Sequence, residues 1–163
     1  MAILPEGRTQ NVKASLYAYL IANYTETPLQ FEGLPFDEEN NDQWVRADIM
    51  VLDMDYFRQV EGSSIFGADL IVLANLNILI KPDKVLYGNI YRKEILADEL
   101  RNLFRIPLGI PVHDHHSGAP LAQIGVLRTS ELEDADLGIN RIDAIYQHNV
   151  SSTMFYLSKW EGP

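Results

Sequence analysis

The clearest pattern in this sequence is a long alternating run, Ala68-Asp69-Leu70-Ile71-Val72-Leu73-Ala74-Asn75-Leu76-Asn77-Ile78-Leu79-Ile80. One face of this run is apolar throughout and carries Leu70, Val72, Ala74, Leu76, Ile78 and Ile80. The opposite face carries Asp69, Asn75 and Asn77, and a period of two is typical of a half-buried β-strand. The run is long for a strand, which predicts that its ends project beyond the sheet and contact something else.

Further elements are predicted on both sides of this strand. Residues 9–23 form a helix whose apolar stripe is Val12, Leu16, Tyr19 and Leu20. Alternation from Trp44 to Asp55 predicts another strand, and Gly62-Ser63-Ser64 lies in a flexible connection. A second helix opens at Gly88 or Asn89 and ends before Pro107. Residues 107–120 read as a loop, 121–129 as a strand, 131–136 as an acidic connection, and 140–146 with 153–160 as an interrupted strand or hairpin.

The order helix–strand–strand–helix–strand–strand predicts an α+β fold, a mainly antiparallel sheet with two helices packed on one face. A chain of 163 residues is expected to form one domain. We therefore expect a flexible N-terminal arm at 1–8 and a single α+β domain at 9–163. The other face of the sheet carries Ile71, Leu73 and Leu79, which favours a neighbouring molecule over solvent.

Composition excludes several classes of function. The formal net charge is −10, and an acidic surface disfavours sequence-specific DNA binding, which depends on Lys and Arg. Cysteine is absent, so disulfides, thiolate nucleophiles and Cys-type metal sites are excluded. The sequence predicts neither a secretory signal nor a segment apolar and long enough to cross a membrane. Phosphate-binding and dinucleotide-binding glycine motifs are also absent.

One histidine cluster, His113-Asp114-His115-His116, has the donor chemistry for zinc, nickel or iron. It lies in a segment rich in Pro and Gly, where an exposed polar loop is the more common interpretation. His148 would need a nucleophile within reach to act as a general base, and the sequence indicates none. We therefore expect no catalytic residues, no metal and no cofactor, and a protein that is not an enzyme.

Two acidic clusters stand out, Asp37-Glu38-Glu39 and the residues Glu131, Glu133 and Asp134. Such clusters are most often solvated loops. If the protein formed a ring, acidic residues around its lumen would repel DNA phosphates and let a duplex slide through without sticking. The sequence leaves both interpretations open.

The segment Thr27-Pro28-Leu29-Gln30-Phe31-Glu32-Gly33-Leu34-Pro35-Phe36 and the following Trp44-Val45-Arg46 resemble the tail terminator (tail completion) proteins of tailed phages. The resemblance extends over residues 9–105 and includes the long strand and the helix 89–104. Residues 107–120 and 131–136 depart from it. The resemblance implies a non-enzymatic virion protein that forms a ring, typically of six subunits, which caps the tail tube and joins it to the head.

The implied partners are further copies of this chain, the tail tube protein and head–tail connector proteins, with genomic DNA passing through without sequence-specific binding. The implied location is the neck of the virion, after assembly in the host cytoplasm. Candidate interface residues are Trp44, Arg46, Arg58, Ile71 and Leu73, and candidate lumen residues are the two acidic clusters. The alternatives are another ring protein of the head–tail neck and a small metal-dependent enzyme that uses the His113–His116 loop.

Overall fold

The computed structural model describes residues 5–53, 70–82, 91–115 and 123–158. Within these residues the chain forms two helices and six strands. In chain order they are α1 (Pro5–Asn23), β1 (Leu29–Phe31), β2 (Gln43–Asp53), β3 (Leu70–Ile80), α2 (Arg92–Phe104), β4 (Ile110–His113), β5 (Gln123–Ile139) and β6 (Tyr146–Ser158).

The described strands form one sheet in the order β1-β2-β3-β6-β5-β4. Every neighbouring pair is antiparallel except β1 and β2, which run parallel. The predicted α+β class is therefore confirmed, with a mixed sheet that is mainly antiparallel. The long strand β3 lies in the middle and pairs along its whole length with β2 on one side and β6 on the other.

Both helices pack on the same face of this sheet. The even-numbered residues of β3, from Leu70 to Ile80, are buried. They share one hydrophobic core with Val12, Leu16 and Leu20 of α1 and with the buried side of α2. This core also contains residues of all six strands. The alternation in the sequence thus assigned the helix-covered face of β3 correctly.

Helix α1 begins earlier than its apolar stripe predicts, at Pro5 rather than Thr9. Proline suits the first turn of a helix, because its missing N–H would have no partner there and its fixed φ is already helical. The predicted N-terminal arm therefore overlaps the helix at residues 5–8. Residues 1–4 lie outside the described part of the chain.

The acidic stretch 131–136 is part of strand β5 and not a connection between strands. This acidic half of the strand is paired with β6, and the pairing shifts register as at a β-bulge between Thr129 and Glu131 and again between Asp136 and Gly138. Residues 140–146 and 153–160 were predicted as an interrupted strand or a hairpin, and the structure has one uninterrupted strand there, β6, over Tyr146–Ser158. Residues 140–145 form the turn before this strand, and residues 159–160 lie outside the described residues.

Other predicted boundaries also shift. Residues 110–113, predicted as loop, form the short strand β4 against β5, where Pro111 is tolerated because β4 is an edge strand. The predicted connection at 56–67 and the start of the second helix at residues 88–89 lie outside the described residues. None of the helices that the structure describes is long and apolar enough to cross a membrane.

Candidate assembly surface

The face of the sheet that turns away from the helices, called here the open face, is formed by alternate residues of the four central strands. Strand pairing places them in rows across the sheet. One row joins Leu52, Ile71, Phe155 and Arg128, and another joins Asp48, Asn75, Ser151 and Glu133. The two rows differ in polarity, so the open face changes character along the strands.

One end of the open face is apolar and is called here the apolar patch, defined by Met50, Leu52, Ile71, Leu73 and Phe155. Met50 is 54% exposed, while Leu52 and Phe155 are each 39% exposed. Ile71 and Leu73 are half-buried between them, because β3 lies between β2 and β6. A contiguous cluster of large apolar side chains on a sheet face is typical of a surface that a partner covers.

The middle of the open face is polar, and its side chains bond to one another across the strands. Arg46 Nε lies 3.2 Å from Asp48 Oδ2, and the two side chains are 45% and 46% exposed. Asn77 donates to the same Asp48 oxygen at 3.4 Å and accepts a hydrogen bond from Asn149 at 2.8 Å. These mutual bonds hold the polar band in a fixed arrangement next to the apolar patch.

The far end of the open face is covered by the chain itself, at Trp44. The indole donates a hydrogen bond to Gln30 Oε1 at 3.0 Å, and its ring centroid lies 5.9 Å from that of Phe36. Lys81 Nζ lies 6.0 Å from the ring centroid. Trp44 is consequently only 1% exposed. The prediction of Trp44 as an interface residue is corrected here, because the residue anchors the 32–42 loop within its own subunit.

The other predicted interface residues fall in different places. Ile71 and Leu73 belong to the apolar patch, and Arg46 is exposed in the polar band beside it. Arg58 lies outside the described residues. The structure therefore brings Ile71 and Leu73 together and places Arg46 three rows away from Ile71 on the open face.

The two acidic clusters lie near opposite edges of the sheet. Asp37, Glu38 and Glu39 are exposed in the loop between β1 and β2. Glu131 and Glu133 lie on β5, on the open face, opposite Thr153 and Ser151. The two clusters are thus separated by most of the width of the sheet.

The third β5 acid, Asp134, makes an ion pair with Arg101 of α2 at 2.6 Å, and Arg101 also pairs with Asp98. Its carboxylate is therefore directed to the helix side and not to the open face. The strand register places Asp134 opposite Val150, a core residue, in agreement with this direction. Asp134 was predicted to belong with Glu131 and Glu133, and the structure separates it from them.

The 32–42 loop is fixed by local hydrogen bonds. Asn40 donates to the Asp37 carboxylate through its backbone at 3.2 Å and through its side chain at 2.5 Å, which lowers the pKa of Asp37 below its usual value. Lys81 Nζ donates to the backbone oxygens of Glu38 and Glu39 at 2.8 and 3.0 Å. The loop is therefore held against the sheet, and Leu34, in the turn directly after β1, is 62% exposed.

A second polar cluster joins α2 to β5 and β6 on the helix side. Lys93 Nζ contacts the hydroxyl of Tyr146 at 2.9 Å and the carboxylate of Asp136 at 3.4 Å. The hydrogen bond from Tyr146, together with others, lowers the pKa of Asp136, and the same hydroxyl raises the pKa of Lys93. These contacts explain how an acidic strand is stabilised at this position.

The histidine segment is attached to helix α1 through its backbone. The amide of His113 donates to Ser15 Oγ at 2.9 Å, and the amide of His115 donates to Asn11 Oδ1 at 2.8 Å. His116 lies outside the described residues. In the ranges that the structure describes, no group of three or more His, Cys, Asp or Glu side chains is arranged to hold a metal ion.

A cleft of about 360 Å³ lies where α2 ends beside β5, and sequence reasoning did not predict it. It is called here the arginine cleft and is lined by Phe104, Arg105, Ile106, Pro107, Arg128, Thr129 and Leu132. Gly109 closes the loop beneath it at φ +79°, where a Cβ would lie 2.6 Å from the Leu127 carbonyl oxygen. The sequence signal was weak, because the lining comes from a helix end and a strand more than 20 residues apart.

No protein-family model matches this chain, and no curated protein matches it. One solved structure matches 98% of this chain and 100% of its own, with a TM-score of 0.60 and 13% sequence identity. That protein is known by a serial identifier that describes no function. At this level of identity the similarity establishes a shared fold alone.

Proposed function

We propose that this protein is a structural subunit of a phage tail, of the tail terminator type, and that it acts by assembly and not by catalysis. In this proposal, copies of the chain close into a ring, with six subunits expected. The ring caps the tail tube, stops its growth and presents a surface to head–tail connector proteins. Its place is the neck of the virion, after assembly in the host cytoplasm.

The observation that carries this proposal is the apolar patch. Met50, Leu52 and Phe155 are exposed on the same face of a sheet whose other face packs against two helices. Burying such side chains contributes about 25 cal/mol for each Å² removed from water. A subunit that leaves this surface open therefore gains stability when a second protein surface covers it.

The charge distribution supports the same proposal for the DNA path. Glu131 and Glu133 are exposed on the open face, and the chain as a whole carries a formal charge of −10. Negative side chains along a channel repel phosphate groups, so DNA would pass without being held. We therefore propose that Glu131 and Glu133 face the lumen.

Another ring protein of the head–tail neck would use the same surface, and the two are distinguished by the partner. A terminator binds the end of the tail tube, whereas a connector binds the head portal. Mixing the protein with purified tail tubes and imaging tube ends by negative stain tests the terminator assignment directly. Capped tubes of fixed length support it, and tubes that continue to grow contradict it.

Met50→Asp tests assembly itself, because it places a charge in the apolar patch at a side chain that is 54% exposed. We expect the wild-type protein to form a ring, alone or on tail tubes, and the variant to remain a folded monomer. Ile142→Asp is the matched control, since Ile142 is 95% exposed in the turn between β5 and β6 and away from the patch. The measurements are solution mass by light scattering and negative-stain imaging.

A wild-type protein that stays monomeric both alone and with tail tubes would overturn the proposed function. Equal assembly of the wild type and the Met50→Asp variant would remove the apolar patch from the interface. Circular dichroism of both variants shows whether the fold is retained, and exposed substitutions of this kind are expected to change stability by about 0.5 kcal/mol or less.

A further inference from the structure

We propose that the loop at residues 32–42 of one subunit, with the exposed Leu34 in its first turn, docks into the arginine cleft of the next copy of this chain. This inference rests on the proposed function, since it names the contact that joins neighbouring subunits of the ring. The partner is a second copy of the same chain, recognised by an apolar side chain surrounded by carboxylates.

The 32–42 loop has the composition of a ligand for a basic apolar cleft. It contains five acidic residues and no Lys, Arg or His. Leu34 is 62% exposed, and the loop around it is fixed by Lys81 and by the contact of Phe36 with Trp44. A loop already held in one conformation loses little freedom on binding, so it docks at a lower entropic cost.

The arginine cleft has the opposite charge in a protein that is otherwise acidic. Arg105 and Arg128 are exposed on its rim, and within the described residues neither side chain makes an ion pair. By contrast Arg46, Arg92, Lys93 and Arg101 are each paired with an acid of their own subunit. Two unpaired cations beside Ile106 and Leu132 form a site for an acidic segment with an apolar tip.

The last carbonyl groups of α2 accept hydrogen bonds within the subunit, so they do not repel an acidic partner. The hydroxyl of Thr129 donates to the Phe104 oxygen at 2.9 Å, and that of Tyr19 donates to the Leu103 oxygen at 2.6 Å. These hydrogen bonds occupy the last carbonyls of the helix, whose partial negative charge is otherwise exposed there. The arginines therefore dominate the charge of the cleft.

The loop and the cleft lie near opposite edges of the sheet and do not meet within one subunit. Four strand spacings separate β1 from β5, which amounts to about 19 Å. A contact between them joins two subunits through different surfaces. A heterologous contact of this kind, repeated by a rotation that closes, forms a ring.

The strand register also places the loop and the cleft at similar positions along the direction of the strands. Pairing across the sheet aligns Phe31 with Ala47, and through β3 and β6 with Asp134. Leu34 N donates to the Phe31 oxygen at 3.2 Å, so the chain turns after β1 and Leu34 stays close to Phe31. Leu132 lies two residues from Asp134 on β5. Neighbouring subunits would therefore meet with little axial step, as a flat ring requires.

The absence of cysteine from the chain allows a direct test by cross-linking. Leu34→Cys is mixed with Leu108→Cys, whose side chain is 83% exposed in the loop beside the cleft, and a short bismaleimide is added. We expect a covalent dimer in the mixture and much less in either variant alone. Leu34→Cys mixed with Ile142→Cys is the matched control and should give background cross-linking.

The double variant Arg105→Glu/Arg128→Glu tests the charge. We expect at least a tenfold weaker self-association by light scattering, with an unchanged circular dichroism spectrum, and partial recovery on mixing with Glu32→Arg/Glu39→Arg. Two results would overturn this contact and leave the proposed function standing. In the first, the wild type forms rings but the Leu34→Cys and Leu108→Cys variants do not cross-link. In the second, the wild type forms rings and the Arg105→Glu/Arg128→Glu variant assembles equally well. A protein that never assembles would overturn both.

Discussion

The two faces of the central strand β3 differ in how they are covered, although both are largely apolar. The even-numbered residues are buried beneath α1 and α2, and each is at most 1% exposed. The odd-numbered residues Ile71 and Leu73 remain half-buried in an open patch. The first face is completed by the subunit itself, whereas the apolar patch on the second face has no cover in the described residues. The comparison separates the residues that stabilise the fold from those available for assembly.

The open face is itself divided. Its Met50 end is exposed, while its Trp44 end is closed by Gln30, Phe36 and Lys81. Apolar residues on one face of one sheet therefore differ in exposure. A distant loop buries the Trp44 end and leaves the Met50 end open to solvent.

The largest expected change in the free energy of unfolding comes from a substitution at the covered end of the open face. Trp44→Ala should lower the free energy of unfolding by about 3–5 kcal/mol, because a large buried side chain is lost and a cavity remains. Urea unfolding followed by circular dichroism measures it. A loss of assembly without a loss of stability would instead return Trp44 to the subunit interface.

A matched pair on β3 sharpens the comparison between faces. Leu76→Ala should cost about 2–5 kcal/mol, since Leu76 is fully buried beneath the helices. Leu73→Ala, three residues earlier and on the open face, should cost the isolated subunit about 1 kcal/mol. Both values come from urea unfolding of the monomer. Equal costs would show that the open face is covered within the subunit.

The last expected effect concerns the helix side and appears only at alkaline pH. Burial raises the pKa of Tyr24 to about 12, and its hydroxyl lies 2.9 Å from Thr27 Oγ. A folded-state pKa above the unfolded value near 10 contributes stability that is present below pH 10 and is lost as the pH rises toward 12. The wild type should lose about 2–3 kcal/mol over this range through Tyr24.

Tyr24→Phe removes this ionisation, so its stability should fall less between pH 10 and 12 than that of the wild type. Urea unfolding at several pH values compares the two proteins. An identical alkaline decline would show that the Tyr24 phenol ionises freely in the folded protein.

The sequence was informative where the pattern is local. Alternation predicted β3 and the buried side of α1 correctly, because a period of two or of 3.6 follows directly from backbone geometry. It also predicted that Ile71 and Leu73 lie on the face of the sheet that the helices do not cover. The fold class and the order of the main elements followed from these periods.

The errors arose where distant contacts decide. Residues 131–136 are poor strand formers by composition, and Arg101 and Lys93 of α2 stabilise them as a strand through Asp134 and Asp136. Trp44 is closed by a loop whose position no local pattern reveals. The arginine cleft likewise forms only when the end of α2 reaches β5, so no sequence motif marks it.

The acidic outer half of β5 has a consequence for the life of the free subunit. Beyond Leu127, which pairs with Ile110 at the start of β4, no strand of the described chain pairs with the outer side of β5. The unpaired backbone groups of such an edge can form hydrogen bonds with a strand of another molecule and lead to aggregation. Its carboxylates and two bulges oppose this by repulsion and by distorting the edge. In the proposed assembly, copies of the chain join at one contact, and the acidic half of β5 opposes association at this exposed edge.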